Sequence, residues 1–254
     1  MYSHGAAPLA PGRAPPAPAW PWAISQLRVM ASAALTLIGS AKFRPFRNVW
    51  LLEELGVQYK HIPATPRSTD TYEAGNPFGK VPALTDGSFS MYESAAINTY
   101  LADKCRGRVG CADLVPTPGT PTRGRYEQLV QTISMELDAQ GLWIHRKHEA
   151  LAGMLAPAAP EAVKHARAHA AKVVGILATE LIKGRGEYLI GNAAEGGDFG
   201  FSAADCLFVH CLNWSESIGW ADWAAAEGEQ FDALRAYAAR CRARPAYIKA
   251  KAAP

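Results

Sequence analysis

The sequence predicts a mixed α/β unit followed by an all-α unit, and three observations carry that reading. From Ala34 to Cys105 short apolar runs alternate with helical stretches, in the order βαβ and then ββα. A Gly/Pro-rich stretch, RGRVGCADLVPTPGTP, then interrupts the pattern. Beyond it only helical periodicity is found.

Each element has a local reason. ALTLI suits a short buried strand, and FRNVWLLEELG a helix that Gly56 stops. VQYKHI alternates as a second strand, and residues 68–74 suit a short helix. VPAL and FSMY, divided by Asp86-Gly87, read as a tight hairpin. SAAINTYLADKC reads as a helix with Ser94 as its N-cap. The boundaries that follow are 33–104 for the mixed domain, 105–119 for a linker with little to bury, and 120–254 for the helical domain. In the latter, Thr120 caps a helix whose first position is Pro121. Tyr126, Leu129, Val130, Ile133, Leu137 and Ile144 keep helical spacing along it. Val163, Ala166, Ala170, Val173, Leu177 and Leu181 do so along the next. Residues 184–200 read as a loop. Ser202 and Asp205 then form a capping box with Phe201 as its staple, and the tail gives one or two more helices broken near Pro245.

Bulk properties narrow the function classes. The chain has 254 residues, 49% hydrophobic and 19% charged, a globular balance with enough length for two cores. The net charge is +3, and Arg13 and Arg28 fall in a first stretch of 30 residues that holds no acid. The remainder is near neutral, so neither nucleic acid nor an anionic membrane is expected as a partner. No apolar run reaches the length of a membrane span. The five cysteines (Cys105, Cys111, Cys206, Cys211 and Cys241) include no CxxC and no metal-ligand spacing with the histidines. Reduced thiols, no metal and a cytoplasmic location are the expectation. Residues 1–32 are rich in Ala and Pro without periodicity and read as a disordered extension. A plastid or other organelle transit peptide is the alternative, poorly served by two serines, Ser3 and Ser25.

Two motifs carry chemistry. In NPFGKVPAL, Gly79 permits a tight turn and Lys80 supplies a cation. Pro82 lacks an N–H and can adopt a cis bond, which opens the N–H and C=O of Val81 to an extended ligand. In YESAAINTYL, Glu93 and Ser94 stand at a helix start, whose free N–H groups and positive dipole end suit a carboxylate. Ser94 adds a hydroxyl, and Glu93 can hold an ammonium.

With LLEELG, NPFGKVPAL, ESAAI and FSAAD in that order, residues 33–254 resemble the cytosolic glutathione transferases. The resemblance implies a thioredoxin-like first domain that binds glutathione, an all-helical second domain and a homodimer. It implies that Val81 makes backbone hydrogen bonds to the cysteinyl unit of glutathione, with Lys80 beside it, while Glu93 and Ser94 hold the γ-glutamyl zwitterion. It also implies that Ser202 and Asp205 help the second domain fold. The implied activity is conjugation of the glutathione thiolate to hydrophobic electrophiles, with glutathione-dependent peroxidase or isomerase activity as variants. Glutathione would serve as co-substrate. In the family, the helix carrying WIHRKHEAL ends near the second-substrate pocket, so Trp143 or His148 is expected to touch an electrophile. Apart from that, His145 and His148, with Arg146 and Lys147 between them, read as a solvated or interdomain face.

The loop GSAKFRPFR stands where the family places its thiol-activating residue. Counting back from the helix reaches Phe43, which donates nothing to sulfur; counting forward from the strand reaches Ser40. Ser40 is the expected catalytic donor, with Lys42, Arg44 or a backbone N–H as electrostatic alternatives. No cysteine occupies the loop, so a serine-type or atypical enzyme is expected rather than a cysteine-type one. Phe43 also keeps open a non-catalytic ligand carrier or assembly domain. A thioredoxin-like redox enzyme fails for want of CxxC.

Overall fold

The computed structural model describes residues 35–183, 187–193 and 197–254. The extension expected over 1–32 lies outside them, as does part of the 184–200 loop. The chain opens with β1 (Thr36–Ile38), in which Leu37 is fully buried. α1 (Phe46–Leu55) follows, closed as expected by Gly56 at φ 64°. Next come β2 (Lys60–Ile62), α2 (Thr69–Glu73), β3 (Ala83–Asp86), β4 (Phe89–Tyr92) and α3 (Ser94–Cys105). The sheet order is β2-β1-β3-β4, with β1 parallel to β2 and antiparallel to β3. Asp86 pairs with Phe89, leaving Gly87-Ser88 as a two-residue turn.

Two local readings are corrected. Val81 and Pro82, joined by a cis bond, stay outside β3, because proline has no N–H to donate to the ladder. Ser94 is the first helical residue rather than the N-cap; Glu93 holds the cap position at φ 73° without a side-chain cap bond. That one-residue shift frees the Ser94 hydroxyl for a tertiary partner.

α4 (Pro121–Gln131) starts as its sequence dictates, with Thr120 Oγ1 accepting the Arg123 N–H at 3.1 Å. The helix then runs on as a π-helical stretch over Thr132–Leu142, an α-helical turn α5 (Trp143–His145) and a second π stretch over Arg146–Ala150. α6 (Pro160–Lys183) buries its predicted stripe from Val163 to Leu181. Inside the expected loop a short ladder joins β5 (Asn192–Ala193) to β6 (Gly197–Asp198). α7 (Ala203–Ser217), α8 (Glu229–Arg242) and α9 (Pro245–Lys251) complete the chain.

The stretch between α3 and α4 buries more than its composition suggested. Leu114 and Val115 are 3% and 1% exposed. The Arg106 guanidinium satisfies the carbonyls of Val115 and Pro116 at 2.7 and 2.9 Å, which lets this irregular backbone leave water. α1 is the element shared by sheet and helices. Its Trp50 is fully buried, with ring centroids 5.3 Å from Phe201 and 4.9 Å from Tyr247. Glu54 accepts from Trp50 Nε1 at 2.9 Å and takes Arg244 bidentately at 2.6 and 2.8 Å.

Candidate active site

The loop between β1 and α1 is tightly determined. Gly39 sits at φ 130°, and a Cβ there would lie 2.5 Å from Pro45 Cγ and 2.7 Å from Val81 Cβ. Only glycine lets the end of β1 approach both the loop and Val81. Phe43 donates its N–H to the Ser40 carbonyl at 3.1 Å, so the two positions reached by counting are the two ends of one turn. Ser40 is buried, and its Oγ accepts the Lys42 N–H at 3.2 Å, which leaves the hydroxyl proton free to donate. The Ala41 N–H donates to the Pro254 carbonyl at 2.8 Å, laying the chain beyond α9 against this turn.

The turn before Val81 is fixed by Asn76, which donates to the Lys80 carbonyl at 2.7 Å and accepts from the Phe78 N–H at 3.1 Å. Val81 is 8% exposed, yet its N–H and C=O have no hydrogen-bond partner among the described residues. At the start of α3 the first helical bond runs from the Ile97 N–H to the Glu93 carbonyl at 2.9 Å. The N–H groups of Ser94, Ala95 and Ala96 thus have no backbone acceptor, the ordinary condition of a helix start. Ser94 Oγ accepts from Arg47 Nη1 at 3.1 Å. Glu93 is exposed, and φ 73° is a strained backbone for a glutamate.

Beneath this surface lies a buried charge network that links α1 to the long helix. Arg47 Nη2 donates to Asp138 Oδ2 at 2.6 Å, and Arg44 Nε donates to the same oxygen at 3.0 Å while its Nη2 pairs with Oδ1. Burial alone would raise the Asp138 carboxyl; the two guanidiniums outweigh it and hold the group far below the usual carboxylate range. Arg47 Nε donates to His210 Nδ1 at 3.1 Å, and burial together with the Arg47 charge keeps that imidazole neutral, its proton on Nε2. Asn48 joins α1 to α3 through the Ser94 carbonyl at 2.8 Å and Asn98 Oδ1 at 2.7 Å.

The aromatic wall comes from the helical half. The Arg44 guanidinium stands 4.9 Å from the ring centroids of both Trp143 and Trp214, and Lys80 Nζ lies 5.3 Å from that of Trp143. Of the two residues expected near an electrophile, Trp143 is therefore brought to the loop. His148 instead bonds the Pro157 carbonyl through Nδ1 at 2.8 Å. His145 is buried, its ring 5.1 Å from Trp220, rather than part of a solvated face. Arg47, Asp138, His210, Trp214 and Arg146 were not singled out from the sequence as site residues. An arginine inside the apolar run of α1 was the available signal, but its partner stands 91 residues away.

Ser202 and Asp205 are structural. The wholly buried Asp205 carboxylate accepts from the Ser202 N–H at 2.7 Å and hydroxyl at 2.9 Å, the Leu189 N–H at 3.1 Å and the Tyr237 hydroxyl at 2.8 Å. Among the described residues no three His, Cys, Asp or Glu side chains gather as a metal site would require, and no helix is long and apolar enough to cross a membrane.

Comparison with known proteins gives the same frame. Residues 47–108 match the family model described as the N-terminal domain of glutathione S-transferase. Glutathione S-transferase 4 of Zea mays is 40% identical over 81 residues, 30% of this chain and 36% of that relative, so this alignment spans only about a third of its length. Glutathione S-transferase F10 of Arabidopsis thaliana is 30% identical over 152 residues, 58% of this chain and 67% of that relative. A solved structure of Ure2p in complex with glutathione shares the fold with a TM-score of 0.69 at 20% identity, over 85% of this chain and 98% of that one. A sheet that presents a cis Val-Pro peptide beside an open helix start, in a chain aligned over two thirds of the Arabidopsis relative, belongs to the glutathione S-transferase family.

Proposed function

We propose that the chain binds glutathione and transfers its thiolate to electrophilic small molecules. The observation that carries the reading is the unpartnered N–H and C=O of Val81, nearly buried and next to Gly39 of the loop. An extended tripeptide can add to that peptide group as a strand adds to a sheet edge. The start of α3, with the Ser94 hydroxyl, suits the γ-glutamyl carboxylate, and the exposed Glu93 suits its amine. Lys80 is free of ion pairs among the described residues and suits a further carboxylate.

The loop then acts on the sulfur. A free thiol has a pKa near 8.5, and lowering it by ~2 units takes ~2.7 kcal/mol of preference for the thiolate. The Ser40 hydroxyl donates to sulfur in this reading, and the cations around Trp143 add a favourable field. The thiol proton leaves to solvent, and the thiolate attacks the electrophilic carbon. Isothermal titration with glutathione, followed by turnover of 1-chloro-2,4-dinitrobenzene, tests both halves. Failure of Ser94→Ala to weaken binding would count against the site.

A second reading, a non-catalytic carrier, is favoured by Arg44: its Nε and Nη2 are both held by Asp138, which leaves only Nη1 to reach a sulfur. Binding without conjugation, peroxidase or isomerase activity would select it. A homodimer belongs to the proposal as well; exposed Phe78 and Met135 supply apolar surface for it, and sedimentation decides it.

A further inference from the structure

Arg146 has no ion pair among the described residues. Its guanidinium lies 5.4 Å from the centroid of the Phe43 ring, on the turn that ends at Ser40. No carboxylate among the described residues comes within ion-pair distance of it. Glu149, one turn further along the same helix, points to His145 Nε2 at 3.6 Å. Asp138 is fully engaged by Arg44 and Arg47. Arg44, whose charge acts on it, carries the same sign. Burial and the neighbouring Arg44 charge both disfavour the guanidinium's charged form, so an anion placed there relieves two costs at once. Trp143 stands three residues earlier, and both it and Phe43 are half-buried, so each leaves part of its ring exposed beside the cations that stand over it.

We propose that Arg146, over Phe43 and beside Trp143, is a specificity-determining cation that selects aromatic electrophiles bearing an anionic substituent such as a carboxylate. The proposal rests on the transferase reading for its chemistry. The substrate ring lies along the exposed edges of Phe43 and Trp143, and its carboxylate takes the guanidinium in a charge-assisted pair. The glutathione thiolate attacks the carbon that bears the leaving group; a C–S bond forms, the C–Cl bond breaks, and chloride departs with the electron pair.

The test compares 4-chloro-3-nitrobenzoate with its neutral isostere 4-chloro-3-nitrobenzamide. The full chain should turn over the benzoate with a KM about tenfold below that of the amide, the scale of one charge-assisted contact. Arg146→Gln should abolish that ratio and leave the amide unchanged, and Arg146→Lys should restore part of it. An unchanged ratio in Arg146→Gln overturns the proposal. If neither compound is turned over, the conjugation reading fails, and quenching of tryptophan fluorescence by the two compounds still decides the subsite. Tighter benzoate binding that Arg146→Gln removes supports it; equal binding of the two compounds overturns it.

Discussion

Phe43 donates its backbone N–H to the carbonyl of Ser40 at 3.1 Å, so a phenylalanine and a serine three residues apart mark the two ends of one turn. A position counted along the chain and a position in space are different things in such a loop. The turn joins Ser40 to the position where the helix count finds Phe43.

Ser40→Ala therefore carries a defined expectation. The pH dependence of kcat/KM should move toward the free thiol by about 1–2 units, while glutathione affinity changes little. An unmoved profile would transfer the role to Lys42, Arg44 or a backbone N–H.

Ser94→Ala should act on binding instead. Losing the hydroxyl also leaves Arg47 Nη1 without its 3.1 Å acceptor. A rise in KM for glutathione of about tenfold, with kcat largely kept, is the expected split. Steady-state kinetics with varied glutathione checks it.

Asp138→Asn should destabilise the fold by about 3–5 kcal/mol at neutral pH, because it leaves two guanidiniums without their shared anion. The sign with pH follows from the depressed carboxyl. Its stabilisation is complete above the unfolded value near 3.9 and is lost as pH falls below about 4. The gap between wild type and Asp138→Asn in urea unfolding should thus narrow in acid. A gap that stays constant from pH 7 to pH 3 would contradict the ion-pair account.

The thiols offer a simple check on burial. Cys111 is half-buried, whereas Cys105, Cys206, Cys211 and Cys241 are buried. Burial pushes the Cys211 thiol up to about 12. An aromatic disulfide reagent should find one fast thiol in the native chain and the other four only on unfolding.

What could be read from the sequence was what local chemistry decides. The Gly56 stop of α1, the Asp86-Gly87 turn and the Thr120-Pro121 start of α4 all follow from backbone preferences of single residues. The sequence pattern sets the N-cap at Ser94, one position late, because the positive φ of Glu93 moves the helix start and nothing in ESAAI announces a strained glutamate. Burial of Leu114 and Val115 depends on Arg106 reaching their segment, a tertiary event. The Arg44–Asp138–Arg47 cluster joins residues more than 90 apart through a helix whose π-helical course has no sequence signature. The candidate binding motifs are visible in the sequence, whereas the electrostatics beneath them are not.

The central claim is that this site holds glutathione and favours its thiolate. Ultraviolet titration of the thiolate in glutathione bound to the wild-type chain tests it most directly. The account predicts an apparent pKa about 2 units below the free value near 8.5. Bound glutathione that titrates at its free value, or no binding at all, would contradict it.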